Sequence, residues 1–394
     1  MATRPTQLLP TFPWDTLVPA RKRAAEHPDG VVDLSIGTPV DPVPEIARDA
    51  FVRASDYPGY PPTIGSAEVR EAIVGWARRR RGASALDAAG VLPTVGSKEL
   101  VASLPAQLGI GAGERVLFPQ MAYPTYDVGA RLVGAEPVAV GPDPAEWSDA
   151  SLVWLNSPSN PTGRVDDVEA LRRIVAWARA HQCVVASDEC YAELAWEGRY
   201  AITEDGLCPN SDAHGVGAPS ILDDAVCDGD YHGLLMVYSA SKQSNMAGYR
   251  AAFVAGDTQL IADLAEVRKH GGLMMPGPSQ AALAAALSDD AHVAMQRERY
   301  RARRNNLLAA AAVGGLVNHP QSHAGLYLWL GVEDASVTSA ELVAAFADLG
   351  IVVAPSSFYG TAEPGRVRVA LTASDEDIAR AAQRLTHFSV RRAK

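Results

Sequence analysis

The sequence is poor in cysteine and histidine motifs, in positive charge and in long apolar runs. Its four cysteines form neither a C-x-x-C pair nor a zinc-ligand pattern, and its nine histidines lack an H-E-x-x-H motif. Both absences argue against a metal site built from these residues. No stretch approaches the roughly 18 uninterrupted apolar residues of a membrane span. The sequence therefore predicts no metal centre and no membrane segment, and its cysteines are expected to be reduced thiols.

Positive charge is scarce as well. The 394 residues include 35 lysines and arginines against 46 aspartates and glutamates, which gives a net charge of −11. This composition leaves no basic face for nucleic acid. The densest basic run is four arginines at residues 78–81, directly before Gly82. Positive charge is favourable at the C-terminus of a helix, so we expect a solvated helix end there instead of a phosphate-binding patch.

The first 15 residues contain three prolines and no apolar segment typical of a secretory signal. We therefore expect a cytoplasmic protein whose partners include neither nucleic acid nor a membrane. Hydrophobic residues make up 47% of the chain and charged residues 21%, proportions typical of a globular protein with a large core.

The middle of the chain alternates short apolar runs with amphipathic helical segments. Residues 151–156 (SLVWLN) are followed by apolar residues at helical spacing over Val168–His181, and then by a second apolar run at residues 183–189. Such alternation predicts an α/β fold with a mostly parallel sheet covered by helices on both faces. Ligands bind beyond the carboxyl ends of such strands. Functional side chains are thus expected directly after the runs, which also include residues 114–119, 136–141, 234–239 and 250–256.

Three parts are predicted along the chain. Residues 1–45 are rich in proline and are expected to form an N-terminal arm and part of a small domain, while residues 46–287 form the large domain. Residues 288–394 begin with a long charged helix and end with a closing helix at Asp375–Leu385. This last part, with apolar runs at 325–331, 351–354 and 366–371, is predicted as a smaller α+β domain.

The first candidate for chemistry is Lys242, which follows the apolar run ending at Ser239, with Arg250 eight residues later. A lysine in a desolvated, electropositive pocket has a lowered pKa and becomes nucleophilic enough for Schiff-base chemistry. Ser239 and Arg250 are suited to bind an anion beside it, because arginine offers phosphate two parallel donors. The alternative is an ordinary surface lysine after a strand, but the spacing of serine, lysine and arginine favours a functional site.

The run at residues 183–189 leads into Asp188, with Tyr191 three positions later. A carboxylate at a buried strand end is costly without a partner for its charge. The protonated ring nitrogen of pyridoxal phosphate would be such a partner. The alternative is an aspartate that caps the following helix, and the neighbouring Cys190 is interpreted as a packing thiol.

Two loops also follow predicted strands. The segment NSPSNPTGR at residues 156–164 has two prolines and a glycine and predicts a rigid loop that holds Asn160 as a hydrogen-bond donor. The alternative is a plain turn. In LPTVGSKEL, at residues 92–100, Gly96 and Ser97 start a helix whose backbone N–H groups are suited to bind an anion. An ordinary helix cap has the same pattern.

Two side chains complete the candidate site. Tyr123, in AYPTYD, offers an aromatic face to a planar ring, with core packing as the alternative. Arg368 lies within the apolar run RVRVAL and indicates bidentate binding of a carboxylate. A structural salt bridge is the alternative for this arginine.

Taken together, these residues resemble the fold-type I, class I/II aminotransferases, which use pyridoxal 5′-phosphate (PLP). The resemblance extends from Gly37 to Arg368 in the same order. It implies that Lys242 binds PLP covalently and later moves the proton, and that Asp188 pairs with the ring nitrogen. It further implies three sets of contacts: Asn160 and Tyr191 to the ring 3′-oxygen, Tyr123 to the ring face, and Gly96, Ser97, Lys98 (through its backbone), Ser239 and Arg250 to the phosphate.

For the substrate, the resemblance implies that Arg368 binds the α-carboxylate, near Gly37 of the lid strand, with Asn160 as a further contact. Tyr60, in YPPTIGSAEVREAI, matches a tyrosine that reaches the phosphate of the neighbouring subunit. This match implies a homodimer with shared active sites. Tyr123 stands where the oldest-known subgroup of aspartate aminotransferases has tryptophan, so the chain resembles a broader bacterial branch.

A narrower resemblance is to the actinobacterial N-succinyldiaminopimelate aminotransferases of lysine biosynthesis, based on FPWDTL, SDECY and VRKHGGLMMP. These enzymes exchange an amino group between glutamate and N-succinyl-2-amino-6-oxopimelate. A distal carboxylate requires a cation, for which Arg21, Lys22, Arg23 and Lys269 are the candidates. The alternatives are another amino-acid aminotransferase, of aspartate or aromatic type, a PLP-dependent C–S lyase, or a regulator built on the same fold.

Overall fold

The computed structural model describes residues 5–390, and its strands fall where the apolar runs of the sequence predict them. The run at residues 151–156, for example, contains the strand Leu152–Asn156. Thirteen strands occur among the described residues: β1 (Val32–Asp33), β2 (Val91–Val95), β3 (Arg115–Pro119), β4 (Glu136–Val140), β5 (Leu152–Asn156), β6 (Val184–Asp188), β7 (Leu234–Ser239), β8 (Ala251–Gly256), β9 (Val317–Asn318), β10 (Tyr327–Gly331), β11 (Ile351–Val352), β12 (Ala354–Pro355) and β13 (Arg366–Ala370).

The helices begin at residues suited to cap them. The side chain of Asp167 accepts from the Ala170 backbone N–H and starts the helix Val168–His181, whose bounds are those predicted. The α-helices of the described chain are α1 (Val18–Ala24), α2 (Glu45–Arg53), α3 (Ala67–Arg81), α4 (Ser97–Gln107), α5 (Thr125–Leu132), α6 (Val168–His181), α7 (Asp224–Cys227), α8 (Ala240–Gln243), α9 (Thr258–Gly271), α10 (Gly277–Leu287), α11 (Asp290–Val313), α12 (Ser339–Asp348) and α13 (Asp375–Leu385). Within residues 5–390, none of them combines the length and apolar character needed to cross a membrane.

Seven strands form the central sheet, in the spatial order β2-β8-β7-β6-β5-β3-β4. Only β8 runs antiparallel to its neighbours, β2 and β7. Strands β5, β7 and β8 are buried along their whole length, as expected for a sheet that is covered on both faces. The predicted α/β fold class is therefore confirmed.

Side chains of the central strands alternate between two layers of core. Val153 packs into one layer with residues of α3, α6 and α10. The next residue, Trp154, points the opposite way and packs with residues of α4, α5 and α9. Since period-two alternation sends successive side chains to opposite faces, the two helical layers leave the carboxyl edge of β5, β6 and β7 as the open side of the sheet.

A second, antiparallel sheet has the order β12-β13-β10-β9 and packs against α11, α12 and α13. The apolar run at residues 351–354 contains parts of two strands: β11 pairs with β1, and β12 pairs with β13. The chain changes partners at Val353. One apolar run thus serves two sheets and joins the N-terminal segment to the C-terminal part of the chain.

The four arginines at residues 78–81 form the last turn of α3, which Gly82 ends in the left-handed conformation with φ of 67°. Arg79 is exposed and pairs with Asp290, as expected for a solvated helix end. The expectation is wrong for Arg80 and Arg81. Both turn inward to carboxylates with almost no exposed surface, Arg80 to Glu193 and Arg81 to Glu189, because an unpaired buried carboxylate would be more costly.

Candidate active site

A cavity of about 390 Å³ opens at the carboxyl ends of β5, β6 and β7, where ligands of parallel sheets bind. The structure brings most of the predicted site residues together there. Those that line the cavity are Gly37, Ser97, Lys98, Tyr123, Asn160, Asp188, Tyr191, Ser239, Lys242, Arg250 and Arg368.

Lys242 reaches the cavity from α8, a single turn that directly follows β7. The Ser239 hydroxyl oxygen accepts from the Ser241 backbone N–H at 3.2 Å and so caps this turn. The Ser239 hydroxyl in turn donates to the Ser241 Oγ at 2.8 Å. The Lys242 Nζ donates to the backbone carbonyl of Gly37. The ammonium group is thereby held between the sheet edge and the N-terminal segment.

Asp188 ends β6 and is almost completely buried. Its Oδ2 accepts from the Tyr126 hydroxyl at 3.0 Å, and its Oδ1 accepts from the Cys190 backbone N–H at 3.2 Å. Burial raises the pKa of the Asp188 carboxyl, whereas the hydrogen bonds from Cys190 and Tyr126 and the charge of Lys242 lower it, and burial dominates. A positively charged ring nitrogen would offset the free-energy cost of ionising this buried carboxyl. Cys190, interpreted from sequence as a packing thiol, also lines the cavity.

An anion cradle is formed by the N-terminus of α4 and Arg250. Gly96 precedes α4 with φ of 82°, and a Cβ at this position would lie 2.0 Å from the Arg250 Nη2. The positive φ favours glycine here, and any other side chain would displace the Arg250 guanidinium from its place beside the start of the helix. Lys98 lies next to them in the first turn of α4 and is exposed, and partial desolvation together with the charge of Arg250 lowers the pKa of its ammonium group.

Asn160 is held in a tightly fixed loop. Its backbone N–H donates to the Asn156 Oδ1 at 2.7 Å, and the Ser157–Pro158 and Asn160–Pro161 peptide bonds are cis. Its side-chain Oδ1 accepts from the Arg368 Nη1 at 2.8 Å. With the oxygen engaged, the amide N–H₂ is the part of this side chain left for a ligand, and its donor role toward the ring stays a prediction.

Arg368 is buried in β13 without a carboxylate partner among the described residues. Its guanidinium donates to Asn160 and, at 2.7 Å, to the backbone carbonyl of Ser35, and its Nε has no partner. The ring of Tyr327 lies 3.9 Å from the guanidinium carbon. The alternative of a structural salt bridge is therefore wrong, and a buried cation of this kind is suited to an anionic ligand.

Tyr327 is a cavity residue that sequence reasoning missed. Its hydroxyl lies 3.3 Å from that of Tyr191, and a Cβ at Gly37 would lie only 2.1 Å from its oxygen. Burial and the neighbouring Tyr327 raise the pKa of Tyr191 well above its usual value. The alternation in GLYLWLG is a signal that places Tyr327 and Trp329 on the same face of β10, but it does not show which face meets the cavity.

Several predicted residues lie elsewhere. Gly96 sits behind Arg250, and Tyr60 is 94% exposed and does not line the cavity. None of the candidates for a distal carboxylate lines it either: Arg21 pairs with Asp33, Arg23 with Asp348 and Lys269 with Glu266, while Lys22 is exposed. Those four assignments were wrong because the helices α1 and α9 point these side chains to the surface. Lys98, predicted to act through its backbone, lines the cavity together with Lys242, Arg250 and Arg368.

Comparison with known proteins decides the family. The family profile described as aminotransferase class I and II matches residues 29–385. The chain belongs to this family. Its fold agrees, since the aspartate aminotransferase double mutant of Thermus thermophilus superposes with a TM-score of 0.81 at 25% identity, over 98% of this chain and 99% of the other.

Among curated proteins, two relatives are 50% identical and cover 96% of this chain. They are the 4-dedimethylamino-4-oxo-anhydrotetracycline transaminase OxyQ of Streptomyces rimosus, covered over 99% of its length, and the "probable aminotransferase Rv1178" of Mycobacterium tuberculosis, covered over 85%. Several more distant relatives, 26% to 30% identical over 94% to 98% of this chain, are LL-diaminopimelate aminotransferases. The comparisons thus support an aminotransferase and do not confirm N-succinyldiaminopimelate as its substrate.

Enzymes of this family depend on PLP, and the cavity fits that cofactor. The phosphate matches the cradle that a Cβ at Gly96 would fill, and the ring nitrogen matches the buried carboxyl of Asp188. The Nε of Arg368 has no hydrogen-bond partner among the described residues, so this buried guanidinium is suited to bind a second anion, such as the carboxylate of a substrate.

Proposed function

We propose that this enzyme transfers the amino group of glutamate to N-succinyl-2-amino-6-oxopimelate, as in diaminopimelate and lysine biosynthesis. The charge of the cavity carries the proposal. Four cationic side chains line it, Lys98, Lys242, Arg250 and Arg368, against the single carboxylate of Asp188. A ligand with several negative charges is needed to match that excess.

Each cation has one partner in this assignment. Lys242 binds the cofactor covalently, Arg250 binds its phosphate and Arg368 binds the substrate α-carboxylate. Lys98 then remains for a second, distal carboxylate, which both glutamate and the proposed acceptor carry. Its ammonium group lies 5.6 Å from the Phe12 ring centroid and 5.9 Å from that of Tyr123, near the mouth of the cavity.

The chain's own groups divide the work of the reaction. Arg368 fixes the α-carboxylate, while Asn160 and Tyr191 orient the ring from the edge and Asp188 holds its nitrogen. Lys242 would take the proton from the substrate Cα and deliver it to the cofactor carbon that keeps the amino nitrogen, and would move it in the reverse direction for the acceptor. PLP, when bound, supplies the carbonyl that accepts the amino group and a ring that withdraws electrons. The Trp14 ring centroid lies 5.9 Å from the guanidinium carbon of Arg368. Trp14 and Phe12 both line the cavity, where they cover the site and exclude water.

The enzyme acts as a homodimer in this proposal, with Tyr60 reaching the phosphate in the neighbouring subunit. Support comes from the exposure of large apolar side chains in this part of the chain. Tyr60 is 94% exposed, and Val52, Ile64 and Tyr57 also expose large parts of their side chains. A subunit interface would bury such side chains.

A second candidate reaction is amination of a tetracyclic ketone, which the 50% identity to OxyQ favours. Phe12, Trp14 and Tyr123 give the cavity aromatic walls on which a planar acceptor could stack. A ring ketone has no α-carboxylate, so Arg368 would then bind the amino donor alone.

The test is the kcat/KM of each of four acceptors, with glutamate as the amino donor: N-succinyl-2-amino-6-oxopimelate, oxaloacetate, pyruvate and a tetracyclic ketone. We expect the succinylated acceptor to rank first. Lys98→Met should lower its kcat/KM about tenfold, the loss of one charged hydrogen bond, with pyruvate unaffected, whereas the exposed-site control Lys269→Met should change neither. A higher value for the ketone, with an acceptor KM that Arg368→Lys leaves unchanged, would replace the proposal by the second candidate.

A further inference from the structure

Tyr126 occupies a position that the predicted chemistry does not use. It lies in the first turn of α5 and has no exposed surface. Its ring stacks on Trp154 of β5, with centroids 5.1 Å apart and planes at 22°. Its ring also lies perpendicular to that of Tyr123, with centroids 5.9 Å apart. The ring is held by these two aromatic contacts, and its hydroxyl donates to the Asp188 Oδ2 at 3.0 Å.

The environment of Asp188 makes that hydroxyl important. The carboxyl is buried, and the groups that face it are the backbone N–H and thiol of Cys190, the Tyr126 hydroxyl and the ammonium of Lys242. Each donor stabilises the ionised carboxylate, and burial opposes ionisation. Burial and the nearby Asp188 raise the pKa of Tyr126 well above its usual value, so its phenol stays protonated and remains a donor.

We propose that Tyr126 is a positioning residue that keeps Asp188 ionised and directed at the ring nitrogen of PLP, so that the shared proton stays on the nitrogen. A carboxylate that loses a donor binds a proton more tightly. Without the Tyr126 hydroxyl, the proton moves from the ring nitrogen toward the Asp188 oxygen, and the ring withdraws electrons less strongly. The inference rests on the proposed role of Asp188.

The residue also links two predicted contacts. Tyr123, expected on the face of the ring, and Asp188, expected at its nitrogen, both touch the same phenol. A shift of Tyr126 therefore displaces both together, whereas removal of its hydroxyl alone affects only Asp188. For this reason Tyr126→Phe isolates the proposed effect.

The experiment uses the holoenzyme loaded with PLP labelled with ¹⁵N at the ring nitrogen. Tyr126→Phe should move the ¹⁵N chemical shift toward that of an unprotonated pyridine and lower kcat about tenfold, with a smaller change in KM. The matched control is Tyr300→Phe, which removes an equally buried hydroxyl that donates to the Asn245 Oδ1 at 3.2 Å, outside the cavity. It should change neither quantity.

Asp188→Asn separates the two levels of the proposal. If Asp188→Asn leaves the ¹⁵N signal protonated, the assigned role of Asp188 is wrong. If Asp188→Asn shifts the signal and Tyr126→Phe does not, the role of Tyr126 is wrong while that of Asp188 stands. A loss of kcat in Tyr126→Phe with an unchanged ¹⁵N signal also overturns the inference, because it would reflect packing alone.

Discussion

Arg81 and Glu189 form an ion pair in which neither side chain has exposed surface. The guanidinium donates to the Glu189 Oε2 at 3.1 and 3.3 Å, while the Oε1 accepts from the Ser220 hydroxyl and the Ile221 backbone N–H. Glu189 directly follows Asp188. The pair therefore fixes the end of α3 to the strand end that presents the predicted partner of the cofactor ring.

Breaking that pair should destabilise the protein strongly. Arg81→Met leaves a buried carboxylate uncompensated, and we expect a loss of about 3–5 kcal/mol in the free energy of unfolding. The control Arg79→Met removes an exposed pair with Asp290 and should cost at most about 1 kcal/mol. Urea-induced unfolding measures both. Equal losses would show that burial does not set the strength of the pair.

Lys242→Ala should abolish transamination together with the absorbance of the covalently bound cofactor. The amine that binds PLP and the group that moves the proton are the same atom in this assignment. The absorbance spectrum and the rate with glutamate are measured on the same sample, with Lys269→Ala as the control. A Lys242→Ala protein with near-normal turnover would refute the role of this lysine.

The proposed dimer with shared active sites predicts complementation between subunits. Tyr60→Ala and Lys242→Ala subunits, each with little activity alone, should recover roughly a quarter of wild-type sites on random mixing, because half of the dimers then contain one intact site. Subunit exchange is followed by mass. Exchange without recovered activity would place Tyr60 outside the neighbouring site.

Acid should weaken the anchor of the N-terminal segment. Asp41 accepts from Arg303 at 2.7 and 2.8 Å and from Gln296 at 2.8 Å. Burial raises the pKa of Asp41 and these hydrogen bonds lower it, and the balance is a lowered pKa. The stabilisation is therefore present above the unfolded-state pKa of about 3.9 and is lost as the pH falls through the folded-state value.

Asp41→Asn should consequently be less stable than wild type at pH 7 and lose less stability between pH 5 and 3. Thermal unfolding between pH 5 and 3 measures the difference in stability between the two proteins. The variant Asp143→Asn, at an exposed position, serves as the control. Parallel stability curves for wild type and Asp41→Asn would contradict the assignment.

Local patterns predicted the elements well. The bounds of α6 and α13 agree with the sequence analysis, because apolar spacing and a capping residue are encoded within one segment. The order of strand ends also predicted which side chains would meet, since parallel strands bring their carboxyl ends to one edge. Lys242, Asp188 and Asn160 all line the cavity for this reason.

Contacts between distant segments could not be predicted in this way. Tyr126 and Asp188 are 62 positions apart, and Tyr191 and Tyr327 are 136 apart. Arg81 looked like a surface residue because its partner, Glu189, lies 108 positions later. Amphipathic spacing indicates which face of a helix is buried, but it does not identify the charged residue of a distant segment that pairs with that face.

The bond from Arg368 to the Ser35 carbonyl spans 333 positions of the chain. All strands of the central sheet and the predicted phosphate contacts Gly96, Ser239 and Arg250 lie before residue 257, so they leave the ribosome more than a hundred residues before Arg368. The hydrogen bond between Arg368 and Ser35 closes a much longer loop of the chain, and it can form only after Arg368 has been synthesised. During synthesis, the residues predicted to hold the cofactor phosphate therefore emerge first, and Arg368, predicted to bind the α-carboxylate of the substrate, emerges last.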